Sequence, residues 1–281
     1  MNDVIASLGT RLGPDTLAAV RAFYDGEQAS AFSAMPALAT DCAYGPDPRH
    51  RLDLYRKGEA GEPRPVVLFV HGGGFLVGDK GGESGWGNAH VGRWAANNGM
   101  IGAVMNYRLA PDHVWPAGGE DVCAAVDWVC ANVARYGGDP DRIALVGTSA
   151  GAVHVAAFLK LRADHASLVK AAALLSGLYG FTPLDERDSR YYGPQDHYAQ
   201  RMPKEAITAS QLPLLLACAQ FDPPRFQAEW TGLLQARLNR HGELPRAHYA
   251  SGHNHYSMAM HLGTADRRLS DEILGFFAAY L

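Results

Sequence analysis

Cysteine is scarce in this chain: Cys42, Cys123, Cys130 and Cys218 are the only four in 281 residues. No two form a C-x-x-C pair, and none combines with histidine at zinc-finger spacing, so the chain has neither a metal-ribbon nor a thioredoxin-like signature. Cys123 and Cys130 stand seven apart in a helical stretch and are expected to share its buried face. All four read as free thiols of a reducing compartment. Basic runs are also missing. Lys and Arg number 25 against 29 Asp and Glu, a net charge of −4 with no basic block or stripe, which argues against nucleic acid as a partner. Long apolar runs are absent: nothing approaches the roughly 20 residues needed to cross a bilayer. Lys170 interrupts the apolar stretch 168–178, and 212–219 is short. The N-terminal Met-Asn-Asp-Val-Ile lacks the basic-then-apolar order of a signal peptide, so the cytoplasm is the expected address and no membrane partner is expected. Internal repeats and low-complexity tracts are missing too.

What remains is the composition of a globular enzyme with a large core, 47% hydrophobic and 19% charged. Residues 1–30 carry helical material, with Leu17, Val20 and Tyr24 on one face, and are expected to form an N-terminal arm. An alternation of strand and helix follows. Strands are expected at 51–55, 65–70, 101–106, 142–146, 171–175, 212–217 and 246–250. Helices are expected at 119–136, 151–162, 223–239 and 265–281. The run P-V-V-L-F-V at 65–70 is continuously apolar, as a strand buried on both faces should be. This pattern predicts one α/β domain over 1–281, with a mostly parallel sheet, helices on both faces, and a site along the strand C-terminal edge. Residues 178–211 break the rhythm. They are polar and aromatic, with Tyr179, Phe181, Tyr191, Tyr192 and Tyr198, and are expected to form a small lid.

Two motifs carry chemistry. Gly147-Thr148-Ser149-Ala150-Gly151 matches G-x-S-x-G, with an apolar strand running in and an apolar helix running out. That is the context of a nucleophile elbow, where a tight turn exposes the serine hydroxyl and the helix N-terminus favours developing negative charge. The bland alternative is a helix start with Ser149 as N-cap. His71-Gly72-Gly73-Gly74-Phe75 follows the strand at 65–70. Glycines there let backbone N–H groups approach an oxyanion without a Cβ in the way, and Gly73, Gly74 and Ala150 are the expected donors. No Lys-Ser/Thr ending makes the loop a phosphate cradle. Asp222 ends a late apolar run, where the orienting acid of such a site belongs. Its position before Pro223 would equally suit a helix N-cap. Glu229 reads as a solvated helix position, and Asp266 follows the histidines, out of order. His154, on the helix after Ser149, reads as a packed, hydrogen-bonded residue pointing away from the hydroxyl. His253 and His255 both stand where the base is needed, in what reads as a loop after the last strand, and periodicity does not separate them.

The motifs H-G-G-G-F, N-Y-R-L-A-P (Asn106 to Pro111), W-P-A-G-G-E-D-V (Trp115 to Val122) and G-T-S-A-G stand in order. Over roughly residues 50–260 the chain resembles the α/β-hydrolase esterases related to hormone-sensitive lipase and the small bacterial carboxylesterases. The resemblance implies an α/β-hydrolase fold and hydrolysis of short-chain carboxylic esters, with no cofactor or metal. It implies Asp222 as the acid, because the family often shows D-P there, and a structural role for Tyr107–Pro111. It favours His255 over His253, because the family base is commonly followed by an aromatic residue, here Tyr256, expected beneath the ring. Phe75, Trp86, Tyr179 and Tyr191 are expected to line the substrate pocket. The expected partner is a small-molecule ester, and a homodimer is compatible with the sequence. Two rival functions share these residues: an amidase of the kynurenine-formamidase kind on the same triad, and a non-catalytic ligand receptor.

Overall fold

A computed structural model describes residues 3–59, 61–81 and 85–281; residues 1 and 2 of the expected arm lie outside them. In chain order the helices are α1 (Asp3–Leu8), α2 (Pro14–Ala34), α3 (Ala89–Asn97), α4 (Ala117–Asn132), α5 (Ala150–Leu161), α6 (His165–Leu168), α7 (Glu186–Tyr192), α8 (Tyr198–Arg201), α9 (Lys204–Ala209), α10 (Pro224–His241), α11 (Ser257–Met260) and α12 (Arg268–Phe277). The strands are β1 (Ala39–Ala43), β2 (Arg51–Tyr55), β3 (Arg64–Val70), β4 (Ile101–Met105), β5 (Gly138–Thr148), β6 (Ala171–Leu175), β7 (Leu214–Phe221) and β8 (Arg246–Asn254).

All eight strands join one sheet in the order β1-β2-β4-β3-β5-β6-β7-β8. β1 and β2 pair antiparallel at one edge, and every pairing from β4 to β8 is parallel. The period-two alternation of each strand divides the core. On β3, Val66, Leu68 and Val70 face a layer holding Val122 and Val126 of α4 and Val155 and Phe158 of α5. Val67 and Phe69 face Trp94 of α3 and Ile273 and Phe277 of α12. With helices on both faces and strands parallel, the C-terminal ends of β3, β5, β6, β7 and β8 emerge along one edge.

Several boundaries differ from the expectations, for physical reasons. β8 runs on through Asn254, so the expected loop at 251–257 is mostly strand. α12 begins only at Arg268, after the turn that follows α11. α3 was not anticipated, because Gly92 and the flanking glycines hide its periodicity; eight of its nine residues are buried. Its Gly92 packs on β2 and β4 so closely that a Cβ there would meet the Tyr55 ring and the Val104 side chain. The arm is two helices, and α2 reaches Ala34. Ile5, Val20 and Tyr24 of the arm pack around Trp86, with Tyr256 and Met260 against them. The four cysteines are free, and Cys123 and Cys130 pack half-buried against the core.

Candidate active site

Ser149 sits between β5 and α5 with φ 53° and ψ −120° and makes no side-chain cap bond, so the N-cap alternative does not hold. A non-glycine residue in that region is strained, and here the strain turns the side chain out of the elbow. The neighbours permit the turn: a Cβ on Gly151 would run into the Val70 carbonyl of the adjoining strand.

The Ser149 Oγ stands 2.9 Å from His255 Nε2, and His255 Nδ1 stands 2.7 Å from Asp222 Oδ1. A buried carboxylate only accepts, so Nδ1 carries the proton and Nε2 is left to accept from the serine hydroxyl. Asp222 is wholly buried at the end of β7. Its Oδ2 accepts from Ser176 Oγ at 2.6 Å, from the Ala219 N–H at 2.7 Å and from the Cys218 thiol at 3.3 Å. Burial pushes this carboxyl up, but the bonds and charge of His255, then Ser176 and Ala219, outweigh it and hold it below the ordinary carboxylate range. Asp222 does not cap α10: Pro223 occupies that position and its predecessor's carboxylate faces inward. Burial and the charge of Asp222 push the Cys218 thiol up, which leaves it a neutral donor.

The glycine loop lies opposite. Gly73 and Gly74 have φ of 130° and 59°, and a Cβ on Gly73 would run into the Val77 carbonyl. Among the described residues the N–H groups of Gly73 and Gly74 donate no hydrogen bond. Ala150, at the first position of α5, has no carbonyl within its own helix to bond. All three line the same cavity as Ser149 and His255. The Tyr107 hydroxyl donates to the His71 carbonyl at 3.0 Å, and Arg108 binds Asp121, so the stretch 107–111 props the loop, as its structural role implies.

The cavity measures ≈ 460 Å³. One wall comes from the arm and its neighbours, with Leu12, Leu17, Arg21 and Met260. The other comes from Leu178, Asp185, Arg187, Pro223 and Phe226. Of the four expected pocket aromatics, only Phe75 lines it. Trp86 is held in the arm cluster, its indole N–H donating to Asp25 at 2.8 Å. Tyr191 stacks behind Phe75 with ring centroids 4.5 Å apart. Tyr179 is packed into the main core. Large rings in an insertion were better spent anchoring it than facing water. The ring nearest His255 is Phe226, at 4.3 Å, not Tyr256, whose ring stands edge-on at 5.8 Å and whose hydroxyl accepts from Gly13 N–H.

Two further expectations are overturned. Glu229 is wholly buried, not solvated: its carboxylate accepts from the N–H groups of Tyr179, Gly180, Phe181 and Thr182 at 2.6–3.1 Å. Its charge suggested solvent, but it shares the buried i, i+4, i+8 stripe of α10 with Leu233 and Arg237, and residues 179–182 cross that face. His154 is buried as expected, yet neither ring nitrogen has a hydrogen-bond partner among the described residues. The rings of Phe75, Tyr107 and Tyr191 enclose it, and burial pushes its pKa down to about 3. His253 lies away from Ser149, bonded to Ser257 Oγ at 3.1 Å and Asp266 at 3.2 Å. It stacks on His261 with centroids 3.9 Å apart. Near-parallel stacked rings aim their nitrogen lone pairs along separate planes, and Arg268 already binds Asp266, so this cluster has the chemistry of a packed ion pair.

Sequence could have found Ser176, just past β6, and Phe226, in the first turn of α10, only through their contacts with Asp222 and His255. No local signal marks either. Among the described residues, no helix is long and apolar enough to cross a membrane.

The BD-FAE family model matches residues 52–201. Isoprenylcysteine alpha-carbonyl methylesterase ICME of Arabidopsis thaliana is 40% identical over 114 residues, 41% of this chain and 25% of that protein. Esterase LipQ of Mycobacterium tuberculosis is 33% identical over 178 residues, 59% of this chain and 41% of that protein. The match thus spans less than half the length of either curated relative. Among solved structures, a hyperthermophilic esterase from the archaeon Pyrobaculum calidifontis superposes with a TM-score of 0.69 at 23% identity, covering 98% of this chain and 93% of that one. At that identity the likeness is one of fold.

Proposed function

We propose that this chain, which belongs to the BD-FAE family and has the α/β-hydrolase fold, hydrolyses carboxylic esters through an acyl-enzyme on Ser149. The observation that carries the proposal is the unbroken chain of hydrogen bonds from Ser149 through His255 to buried Asp222, facing across one cavity the Gly73 and Gly74 N–H groups, which donate no hydrogen bond among the described residues. His255 takes the serine proton as Oγ attacks the ester carbonyl. Gly73, Gly74 and Ala150 N–H groups stabilise the oxyanion, each donor contributing about 3–4 kcal/mol. The alcohol leaves with the proton from His255, and water, deprotonated by the same ring, clears the acyl group. Asp222 fixes the tautomer and stabilises the imidazolium. No cofactor or metal enters these steps.

The substrate is a small ester with a short acyl chain, about C2 to C6 by family likeness. In support, the cavity falls within the range of roughly 300–1,000 Å³ usual for small-molecule sites, and residues 178–211 supply three short helices instead of a long apolar one. That segment acts as a lid built into the single domain. Ser149→Ala should leave a folded protein with kcat on p-nitrophenyl butyrate lowered on the order of 10⁶-fold. A tenth of the wild-type rate, with contaminants excluded, would overturn the assignment. Faster turnover of a C16 than a C4 ester would overturn the chain-length proposal, and a higher kcat/KM on N-formyl-kynurenine than on p-nitrophenyl acetate would move the activity to amides.

A further inference from the structure

Besides its triad histidine, the cavity carries six charged side chains: Arg21, Asp79, Asp185, Arg187, Asp188 and Arg225. The acids are all engaged. Asp79 accepts from the Gly81 N–H and the Asn106 amide, both at 2.9 Å. Asp185 caps α7 through the N–H groups of Arg187 and Asp188 and pairs with Arg225 at 2.6 Å. Asp188 pairs with the same Arg225 guanidinium, which two carboxylates therefore neutralise. Arg187 differs. Among the described residues its guanidinium lies within ion-pair distance of no carboxylate and donates no hydrogen bond. It is exposed, yet it is held in place: a Cβ on Gly74 would run into it, so the cation rests on the glycine loop itself. The helix beneath it is fixed at its start by the Asp185 cap and at its end by Tyr191 and Tyr192, both buried against Phe75.

A cation without a carboxylate partner among the described residues, on the wall of a cavity beside the donors that receive the ester carbonyl, is poorly matched to a wholly neutral substrate. Its planar fork of donors matches a carboxylate. On the footing of the ester hydrolysis above, we propose that Arg187 is a specificity-determining residue that selects esters bearing a carboxylate elsewhere in the molecule. Ser149 engages the ester carbonyl while the guanidinium binds the second, ionised group. Arg21, on the arm wall with its guanidinium 5.7 Å from the Trp86 ring centroid, is the alternative recipient.

Matched pairs of esters test this, after subtraction of spontaneous hydrolysis. Mono-p-nitrophenyl glutarate against its methyl ester places the charge on the acyl side. 4-Acetoxybenzoate against methyl 4-acetoxybenzoate places it on the leaving-group side. The expected result is a kcat/KM ratio of charged over neutral ester of at least about tenfold in one pair for the wild type. The ratio should fall to near one in Arg187→Gln, recover in part in Arg187→Lys, and shrink in 0.5 M salt because the site is open to solvent. A ratio near or below one in the wild type for both pairs overturns the proposal. So does a ratio that survives Arg187→Gln, and one abolished only by Arg21→Gln moves the site to the arm. Should no ester be hydrolysed at all, the ester-hydrolase function falls on its own, and calorimetric binding of monomethyl glutarate to Ser149→Ala, with and without Arg187→Gln, still decides the role of Arg187. Equal affinity in those two variants overturns it.

Discussion

Removing the Glu229 carboxylate should unseat the start of the lid segment and, with it, one wall of the cavity. Five donors converge on this side chain: Oε2 accepts from the N–H groups of Tyr179, Gly180 and Phe181, and Oε1 from the N–H and hydroxyl of Thr182. Glu229→Ala leaves all five without an acceptor. Tyr179 is buried, so its N–H should cost the full penalty of an unpaired buried donor, about 1–3 kcal/mol. Residues 180–182 are partly exposed, so water can replace the acceptor and the loss there is nearer the net worth of a hydrogen bond, about 1 kcal/mol each at most. Relief of the buried charge offsets part of the sum. A destabilisation of about 3–5 kcal/mol follows. At roughly 2–4 °C per kcal/mol for a chain near this size, Tm should fall by about 10 °C. Urea unfolding, a thermal scan and limited proteolysis are the assays, with the first cut expected between 178 and 211. Because Leu178 and Arg187 leave the cavity wall together, kcat/KM on a short ester should fall as well. Glu229→Gln keeps one carbonyl oxygen but turns an amide N–H₂ toward other donors, so it should lose a substantial part of the same stability. Glu229→Ala within about 1 kcal/mol of the wild type, with no new cleavage in the lid, would refute the reasoning.

Two other outcomes are expected. His255→Ala should lower kcat by several powers of ten, whereas His253→Ala, which breaks only the contacts to Ser257 and Asp266, should cost less than about tenfold; the reverse ranking in two folded variants would reassign the base. His154, with its pKa pushed down to about 3 by burial, stays neutral in the native state while the unfolded ring protonates below its ordinary 6.5, so it should lower stability progressively as pH falls from 6.5 toward 3. At pH 5 that amounts to about 2 kcal/mol, and His154→Leu should be neutral or stabilising at pH 7 and flatten this acid loss. An unchanged pH profile of urea unfolding would show that the ring is not held neutral.

Features written in consecutive residues were legible before any coordinates. The alternation of apolar strand and helix specified a parallel sheet, because period two and period 3.6 leave different marks within a dozen residues. The elbow and the glycine loop were legible for the same reason: a tight turn needs its small residues next to one another, as at Gly147 to Gly151 and Gly72 to Gly74. The expectation of Asp222 rested on its place after a strand together with the D-P of the family likeness, and the preference for His255 over His253 came from that likeness alone. What faces what was decided only in three dimensions. Local sequence scores Glu229 as a solvated helix position, and it became a buried anchor because a segment some 50 residues earlier crosses α10. Tyr191 and Trp86 have the residue type of a pocket lining, yet the lid and the arm bury them for their own attachment. Choosing between His253 and His255 required the strand end itself. Residues two apart on an extended chain share a face, and here β8 ends at Asn254, which leaves His253 within the strand beside Asp266 and carries His255 past its end to Ser149.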